Sequence, residues 1–327
     1  MSRVRLATVG PGDHDIRLDR WFRRHFPDLG HGRLEKLLRT GQIRVDGGRA
    51  RASTRVAAGC SVRIPPGLAE SSATPDRRSA VSASDAEFIR SRVLFIDEDV
   101  IAIDKPAGLA VQGGSKVKAS VDGMLDALRF DGDERPRLVH RLDKDTSGVL
   151  AVARTRRAAA ILVAAFREGR VEKEYWALVA GVPTAPRGIV DLPLAKTAMP
   201  GGAGTGRERV AANPPGAKRA RTAYAVVAEA RRVSWLSLAP ETGRTHQIRV
   251  HCQAIGAPIL GDRKYGSGAE RIDGPPPVTR LMLHARRLVL PRPNGAPVTV
   301  TAPLDEAMRE QWSFWGFDEA IPGAGAP

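Results

Sequence analysis

Cysteine is almost missing: a chain of 327 residues holds two, Cys60 and Cys252. They stand far apart, so neither a disulfide framework nor a zinc-ligand spacing is present, which fits a reducing compartment. Long apolar runs are missing too, and the longest falls far short of a membrane span. The opening MSRVRLATVGPGDHD has no apolar core, so neither a secretory signal nor a membrane partner is expected, and the expected compartment is cytoplasmic. No GxGxxG follows a strand and no Walker loop occurs, while Gly113-Gly114-Ser115 alone is too weak to mark a phosphate site. His246, His251 and Cys252 lack a second close pair and an adjacent acidic partner, so no metal is expected.

Acidic residues are in deficit: 36 Asp and Glu face 51 Lys and Arg, a formal net charge of +15. A protein this basic usually meets a polyanion, although a codon bias toward arginine would give the same excess. Aromatics reach only 5%, but 42% hydrophobic residues is ordinary for a globular chain. The length suits two domains, one large enough to bury a sizeable core.

Residues 1–65 read as a small basic module with fourteen Lys/Arg against six Asp/Glu. Leu18, Trp21, Phe22 and Phe26 recur at helical spacing, and Leu34, Leu37 and Leu38 mark a second helix stopped at Gly41. On that helix Arg33, Lys36 and Arg39 repeat every three residues and share a face. QIRVDGGRA reads as two strands around an Asp46-Gly47 turn, and CSVRIP as a closing strand. Residues 66–91, rich in Pro, Ser and Ala, read as a linker. From residue 92 to 315 short β-branched runs predominate: VLFID, VIAIDKP, VLAVART, KEYWALVAG, TAYAVVAEA, SWLSLAPET and LMLHARRLVLP. Helices are expected at 156–168 and from near Thr245 to Gly256. Residues 196–220 read as a mobile basic loop, and 316–327 as a tail. This mixture predicts an α+β chain with a mixed sheet rather than strict βαβ alternation.

Two clusters concentrate polar chemistry between apolar strands. His140-Arg141-Leu142-Asp143-Lys144-Asp145-Thr146-Ser147-Gly148 packs charge, hydroxyls and glycine into nine residues. Composition leaves open whether it is a site or a salt-bridged, hydroxyl-capped turn. The second runs from Thr242 through Arg244, Thr245, His246 and Arg249 to His251. A helix starting near Thr245 puts Thr245 and Arg249 one turn apart on one face, a site or a capped basic helix end. Tyr175, on a strand, is by composition core filler.

Five segments in order resemble the RluA-class RNA pseudouridine synthases: IAIDKPAGLAV, LVHRLDKDTSGVLAVART, VEKEYWALVAG, ETGRTHQIRVHCQAIGAPILGDRKYG and LMLHA. Residues 14–65 resemble a small RNA-binding domain also found in a small-subunit ribosomal protein and some tyrosyl-tRNA synthetases. The domain order is similar to that of the large-subunit synthases C and D of the class. The stretch Ala110-Val111-Gln112-Gly113-Gly114-Ser115 is most similar to type C. Together these cover about four-fifths of the chain.

The resemblance implies a mainly antiparallel catalytic sheet preceded by a small N-terminal α/β RNA-binding domain. It implies Asp143 as catalytic carboxylate, Tyr175 stacked on the target base, and Arg249 as the basic partner of the aspartate. Arg141 would help to displace or replace the flipped nucleotide, and Leu283 would floor the pocket. His140, Thr146, Arg244 and His246 join the expected substrate contacts, with Arg33, Lys36 and Arg39 on the RNA backbone. The expected reaction needs no electrons and no phosphate, so no cofactor is implied. The expected partner is 23S ribosomal RNA or a ribosome-assembly precursor, met by a monomer. Alternatives are the same chemistry on tRNA, a non-catalytic RNA-binding assembly factor, or a nucleoside or glycoside hydrolase. The last usually needs two carboxylates across its site, for which Asp145 would be the candidate beside Asp143.

Overall fold

A computed structural model describes residues 4–26, 29–68, 81–113, 119–198, 208–266, 277–292 and 295–321. The chain divides into two compact units, residues 1–80 and 81–327.

The first unit holds strands β1 (Arg5–Thr8) and β2 (Ile16–Arg17), helices α1 (Leu18–His25) and α2 (His31–Arg39), and strands β3 (Arg44–Val45), β4 (Gly48–Arg49), β5 (Arg55–Val56) and β6 (Ser61–Ile64). A four-stranded sheet runs β1-β6-β3-β4, all antiparallel. The helical apolar spacing has the outcome expected of it, since Leu18, Trp21, Phe22, Phe26, Leu34 and Leu38 enter one buried cluster with Val62 and Ile64. Gly41 ends α2 with a φ of +71°, which a side chain would resist, and Asp46-Gly47 makes the tight turn between β3 and β4.

The second unit begins with α3 (Ala83–Arg90), inside the stretch expected to be linker. Ser82 caps this helix at the amide of Asp85, and Ile89 is fully buried. Its low apolar content hid it: one fully buried isoleucine, with Ala86 and Phe88 partly buried beside it, suffices where the sheet supplies the rest. Strands β7 (Val93–Ile96) and β8 (Val100–Lys105) follow, then α4 (Val121–Met124), β9 (Arg137–Leu138), β10 (Ser147–Ala153) and α5 (Arg156–Arg167). Next come β11 (Glu172–Ala180), β12 (Arg187–Asp191), β13 (Leu194–Ala198), β14 (Glu208–Ala212), β15 (Arg221–Ala230) and β16 (Val233–Pro240). The chain closes with α6 (Gln247–Ala254), β17 (Leu283–Leu290), β18 (Val298–Thr301) and α7 (Glu306–Trp315).

The main sheet runs β12-β15-β16-β11-β17-β10-β8-β7, with β18 added to β17 and β9 to β10. Every pairing is antiparallel except β10 with β17. The fold is thus α+β with a mixed, mainly antiparallel sheet, as expected. Side-chain alternation distributes β8 and β10 between two cores. Val100, Ala102, Val149, Ala151 and Ala153 face α5 on one side, while Ile101, Ile103, Leu150 and Val152 face α3 and α4 on the other. That double burial is why both strands read as continuous apolar runs.

Two expectations need correction. The 196–220 stretch is not simply a loop: β13 and β14 form an antiparallel hairpin whose Leu194 and Val210 pack with Ala220, Val250 and Tyr265. Its glycines and charges masked a few apolar residues that find partners distant in sequence; residues 199–207 lie outside the described residues. Residues 316–321 are not merely a tail, since Phe317 is buried against Trp235 and Trp312. Helix α7 also went unread, although Met308, Trp312 and Trp315 repeat at helical spacing between an Asp305 cap and Gly316.

Candidate active site

Three neighbouring strands at the centre of the sheet build the site. Strand β10 meets β17 over only two residues, Ser147 opposite His284 and Gly148 opposite Ala285. Gly148 has a φ of +104°, and a Cβ there would fall on the backbone of Ala285, so only glycine permits this approach. The loop 140–146 is therefore delivered beside Leu283. On the other flank of β17, Tyr175 pairs with Ala285 just past a register shift that leaves Arg286 of β17 as the extra residue. Strand β16, next to β11, runs into the turn that starts α6.

The result is a cavity of about 580 Å³ lined by His140, Arg141, Asp143, Thr146, Tyr175, Arg244, His246, Arg249 and Leu283. Nine of the twelve expected site residues converge there. Arg33, Lys36 and Arg39 lie on α2 of the other unit, all exposed.

The Asp143 loop is held from below. Thr146 is buried and its amide donates to the Asp143 carbonyl at 3.2 Å. Lys105, at the end of β8, has no exposed surface, and its Nζ donates to the carbonyls of Pro106 (2.8 Å), Leu109 (2.9 Å) and Lys144 (3.0 Å). Three acceptors suit the ammonium form, because a neutral amine has two hydrogens and would turn its lone pair on the third oxygen. Burial nevertheless draws its ionisation down to about 7, against the supporting charges of Asp145 and Asp143. The sequence reading missed Lys105, yet it lies at even spacing from Ile101 and Ile103 and so on the inward face of β8.

Asp143 keeps about a quarter of its side chain exposed. Burial raises its ionisation above the ordinary aspartate range, while Arg249 and Arg141 pull the other way. Arg249 Nη1 lies 3.9 Å from Asp143 Oδ2, and His246 Nε2 at the same distance. The firm partner of Arg249 is another residue, Asp262, whose carboxylate takes Nε and Nη2 at 2.7 Å each. Tyr265 lies over the same guanidinium, 5.0 Å from its carbon to the ring centre. Neither Asp262 nor Tyr265 was expected; the GDRKY stretch carried only the family likeness.

Helix α6 begins at Gln247, so Thr245 precedes it and does not share a helical face with Arg249. His246, at a left-handed φ of 54°, occupies the position before that start without a capping hydrogen bond from its side chain. The Tyr265 hydroxyl accepts from the Val210 amide at 3.0 Å and so donates to His246 Nδ1 at 2.7 Å, leaving the Nε2 proton on the side of Asp143. Burial, with the charges of Arg249 and Lys264, lowers His246 to about 4, so it is neutral at pH 7. His140 is neutral as well, drawn down to about 3 by burial. Its ring stacks on Phe166 at 4.3 Å and its Nε2 accepts from the Ala151 amide at 2.9 Å.

Tyr175 is half-buried. Burial and the charge of Asp143 push its phenol well above the ordinary range, so it stays protonated. Arg141 and Arg244 are exposed at the rim. The first is 3.4 Å from Gln112 Oε1, and the second donates to the Arg219 carbonyl at 3.1 Å. Among the described residues no group of three His, Cys, Asp or Glu is placed to hold a metal, and no helix is long and apolar enough to cross a membrane.

Residues 99–254 match the RNA pseudouridylate synthase family. The ribosomal large subunit pseudouridine synthase C of Vibrio vulnificus is 34% identical over 313 residues, spanning 94% of this chain and 96% of the relative. The chain belongs to the RNA pseudouridine synthases of the RluA class. An uncharacterized RNA pseudouridine synthase of Zymomonas mobilis is 41% identical over 223 residues, 68% of this chain and 97% of its own. The solved structure of human RNA pseudouridylate synthase domain containing 4 superposes with a TM-score of 0.59 at 27% identity, covering 71% of this chain and 96% of that one. The protein is thus an isomerase acting on RNA.

Proposed function

We propose that this synthase converts uridines of large-subunit (23S) ribosomal RNA to pseudouridine, with Asp143 as the catalytic carboxylate. The observation that carries the assignment is the position of Asp143, a partly exposed carboxylate raised by burial and facing a guanidinium, in one cavity with Tyr175 and Leu283. The large-subunit target rests on the name of the Vibrio vulnificus relative and the extent of the match.

The reaction breaks the bond from ribose C1′ to uracil N1 and joins C1′ to C5. A proton leaves C5 and one arrives on N1, so nothing is added overall. A stacked base is out of reach, and the target nucleotide must swing out at a cost of a few kcal/mol. Arg141, exposed at the rim, takes the place of the extruded base in the stack. The Tyr175 ring receives the base, Leu283 closes the floor, and base-on-ring stacking recovers about 1–3 kcal/mol. Tyr175 contributes its ring and a neutral hydroxyl, because its phenol resists ionisation. A carboxylate can add to an electrophilic carbon and leave again, or take a ribose proton; either use spends an oxygen lone pair. Arg249 keeps Asp143 ionised in a cavity that otherwise favours the acid. Arg33, Lys36 and Arg39 of the first unit bind phosphates and add affinity without reading sequence.

Asp143→Asn tests the assignment beside Asp145→Asn, with pseudouridine formation followed in a single turnover and RNA binding measured for each. Asp143→Asn abolishes turnover with binding retained, and Asp145→Asn costs far less; the reverse order refutes the assignment. Mapping pseudouridine in a deletion strain tests the target, and sites lost only from tRNA would refute 23S RNA.

A further inference from the structure

Five cations line the cavity, and four of them have an acceptor within the protein. Arg249 is bonded to Asp262, Arg244 to the Arg219 carbonyl, Arg141 to Gln112 Oε1 and Arg167 to Glu168 at 3.3 Å. The fifth, Lys173 near the start of β11, is the exception. Among the described residues its ammonium has no hydrogen-bond acceptor and no ion-pair partner. Glu241, the carboxylate that supports its charge, is itself paired with Arg221 at 3.2 Å. Lys173 is half-buried, and burial draws its ionisation down to about 8. An ammonium with three donors and no protein acceptor, drawn partly out of water, is poised for a ligand that brings oxygens.

Its position indicates which oxygens. Lys173 and Tyr175 are two residues apart on one strand, so they share a face with about 6.8 Å between them along β11. With uracil on the Tyr175 ring, a ribose separates the base from its phosphates, and Lys173 stands at that remove. Uracil is neutral, whereas the phosphodiester is the anion that each nucleotide carries and a strong acceptor for a point charge. We propose that Lys173 anchors a phosphate of the extruded nucleotide, holding it in the cavity while its base lies on Tyr175. This rests on the reading of the cavity as the catalytic site. The contact forms only once the nucleotide has swung in, so it favours the extruded state over the stacked one and adds little to the grip on the RNA as a whole.

The test compares Lys173→Gln and Lys173→Arg in the full-length protein, on a synthetic 23S RNA stem-loop that the wild-type protein modifies. With saturating enzyme, the single-turnover rate of Lys173→Gln should fall on the order of tenfold to a hundredfold, the loss of one charged hydrogen bond. Its affinity for the RNA should stay within about twofold. Lys173→Arg should recover most of the rate, because it restores the charge; an arginine variant as slow as the glutamine one would make the lysine a proton acceptor and overturn the anchor. Each of the two phosphates flanking the target uridine is then replaced in turn by a neutral methylphosphonate. One replacement should slow the wild-type protein as much as Lys173→Gln does, and should slow Lys173→Gln no further. Losses that multiply at both linkages would refute the contact. Lys173→Gln should melt no lower than wild type, since no internal bond is removed; a lower melting temperature would assign the lysine to the fold instead. If Asp143→Asn turned over, the reading of the site would fall; if it is dead while Lys173→Gln reacts as wild type, only the anchor falls.

Discussion

Replacing Lys105 by methionine keeps the bulk of a fully buried side chain and removes its charge. Three carbonyls, of Pro106, Leu109 and Lys144, then lose their ammonium donor. Hydrogen bonds from a charged donor contribute about 1.5–3 kcal/mol each, so the gross loss is roughly 5–9 kcal/mol. Against this stands the desolvation of the ammonium, several kcal/mol, which methionine does not incur. The difference is a net destabilisation of about 2–4 kcal/mol. For a unit of this size that lowers the melting temperature by roughly 5–15 °C. The catalytic effect should exceed the stability effect, because the Lys144 carbonyl adjoins Asp143. An Asp143 carboxylate released by an ångström loses on the order of a hundredfold in rate. The Gly108 amide still donates to the Lys144 carbonyl at 2.9 Å, so the turn is weakened rather than dissolved. Thermal unfolding followed by circular dichroism and single-turnover kinetics at 25 °C read the two effects separately. Lys105→Met melting within a degree or two of wild type, or reacting at the wild-type rate, would refute the claim that a buried ammonium organises the loop.

Asp143→Asn should melt higher than wild type at pH 7. Folding raises the ionisation of Asp143, so the folded chain holds this proton better than the unfolded one, and ionisation costs stability. That cost is absent below the ordinary aspartate value of about 3.9 and complete above the folded one, so the gain over wild type should vanish as pH falls through that window. A gain that persists in acid would point to another cause. Tyr175→Phe should keep the rate within a few-fold, because the ring remains and the phenol is not an ionised base, while Tyr175→Leu should lose most of it; a dead phenylalanine variant would assign the hydroxyl a proton-transfer role. Replacing Arg33, Lys36 and Arg39 together by glutamine should leave melting and saturating rate unchanged. It should reduce the slope of log affinity against log salt by roughly two to three, and an unchanged slope would take α2 off the RNA.

The central strands of the large unit were legible because β8 and β10, covered on both faces, read as short continuous apolar runs bounded by polar turns. What escaped was structure whose stabilising partners are far away in the chain. The hairpin β13–β14 depends on Val250 and Tyr265, which no local pattern around Val210 announces. Helix α3 depends on a single isoleucine inserted among residues of α4 and β8. Helix α7 is a different case, since its cap, its Met308-Trp312-Trp315 spacing and its terminal glycine were all readable.

For the site, the likeness to known synthases collected the lining residues, but it could not supply the contacts between them. Arg249 was expected as the basic partner of Asp143, and its two shortest bonds go to Asp262, thirteen positions on and across a turn. A buried arginine has five donors, and one partly exposed carboxylate 3.9 Å away cannot satisfy them. The unmet donors imply a second buried acceptor. Asp262 follows a glycine with a φ of +73°, where a side chain would collide with the backbone of Arg280. That close approach fixes the turn, and the turn places the aspartate under the guanidinium. A count of donors on the buried arginine thus calls for a second acceptor, and the tight glycine before an acidic residue is what brings that acceptor within reach.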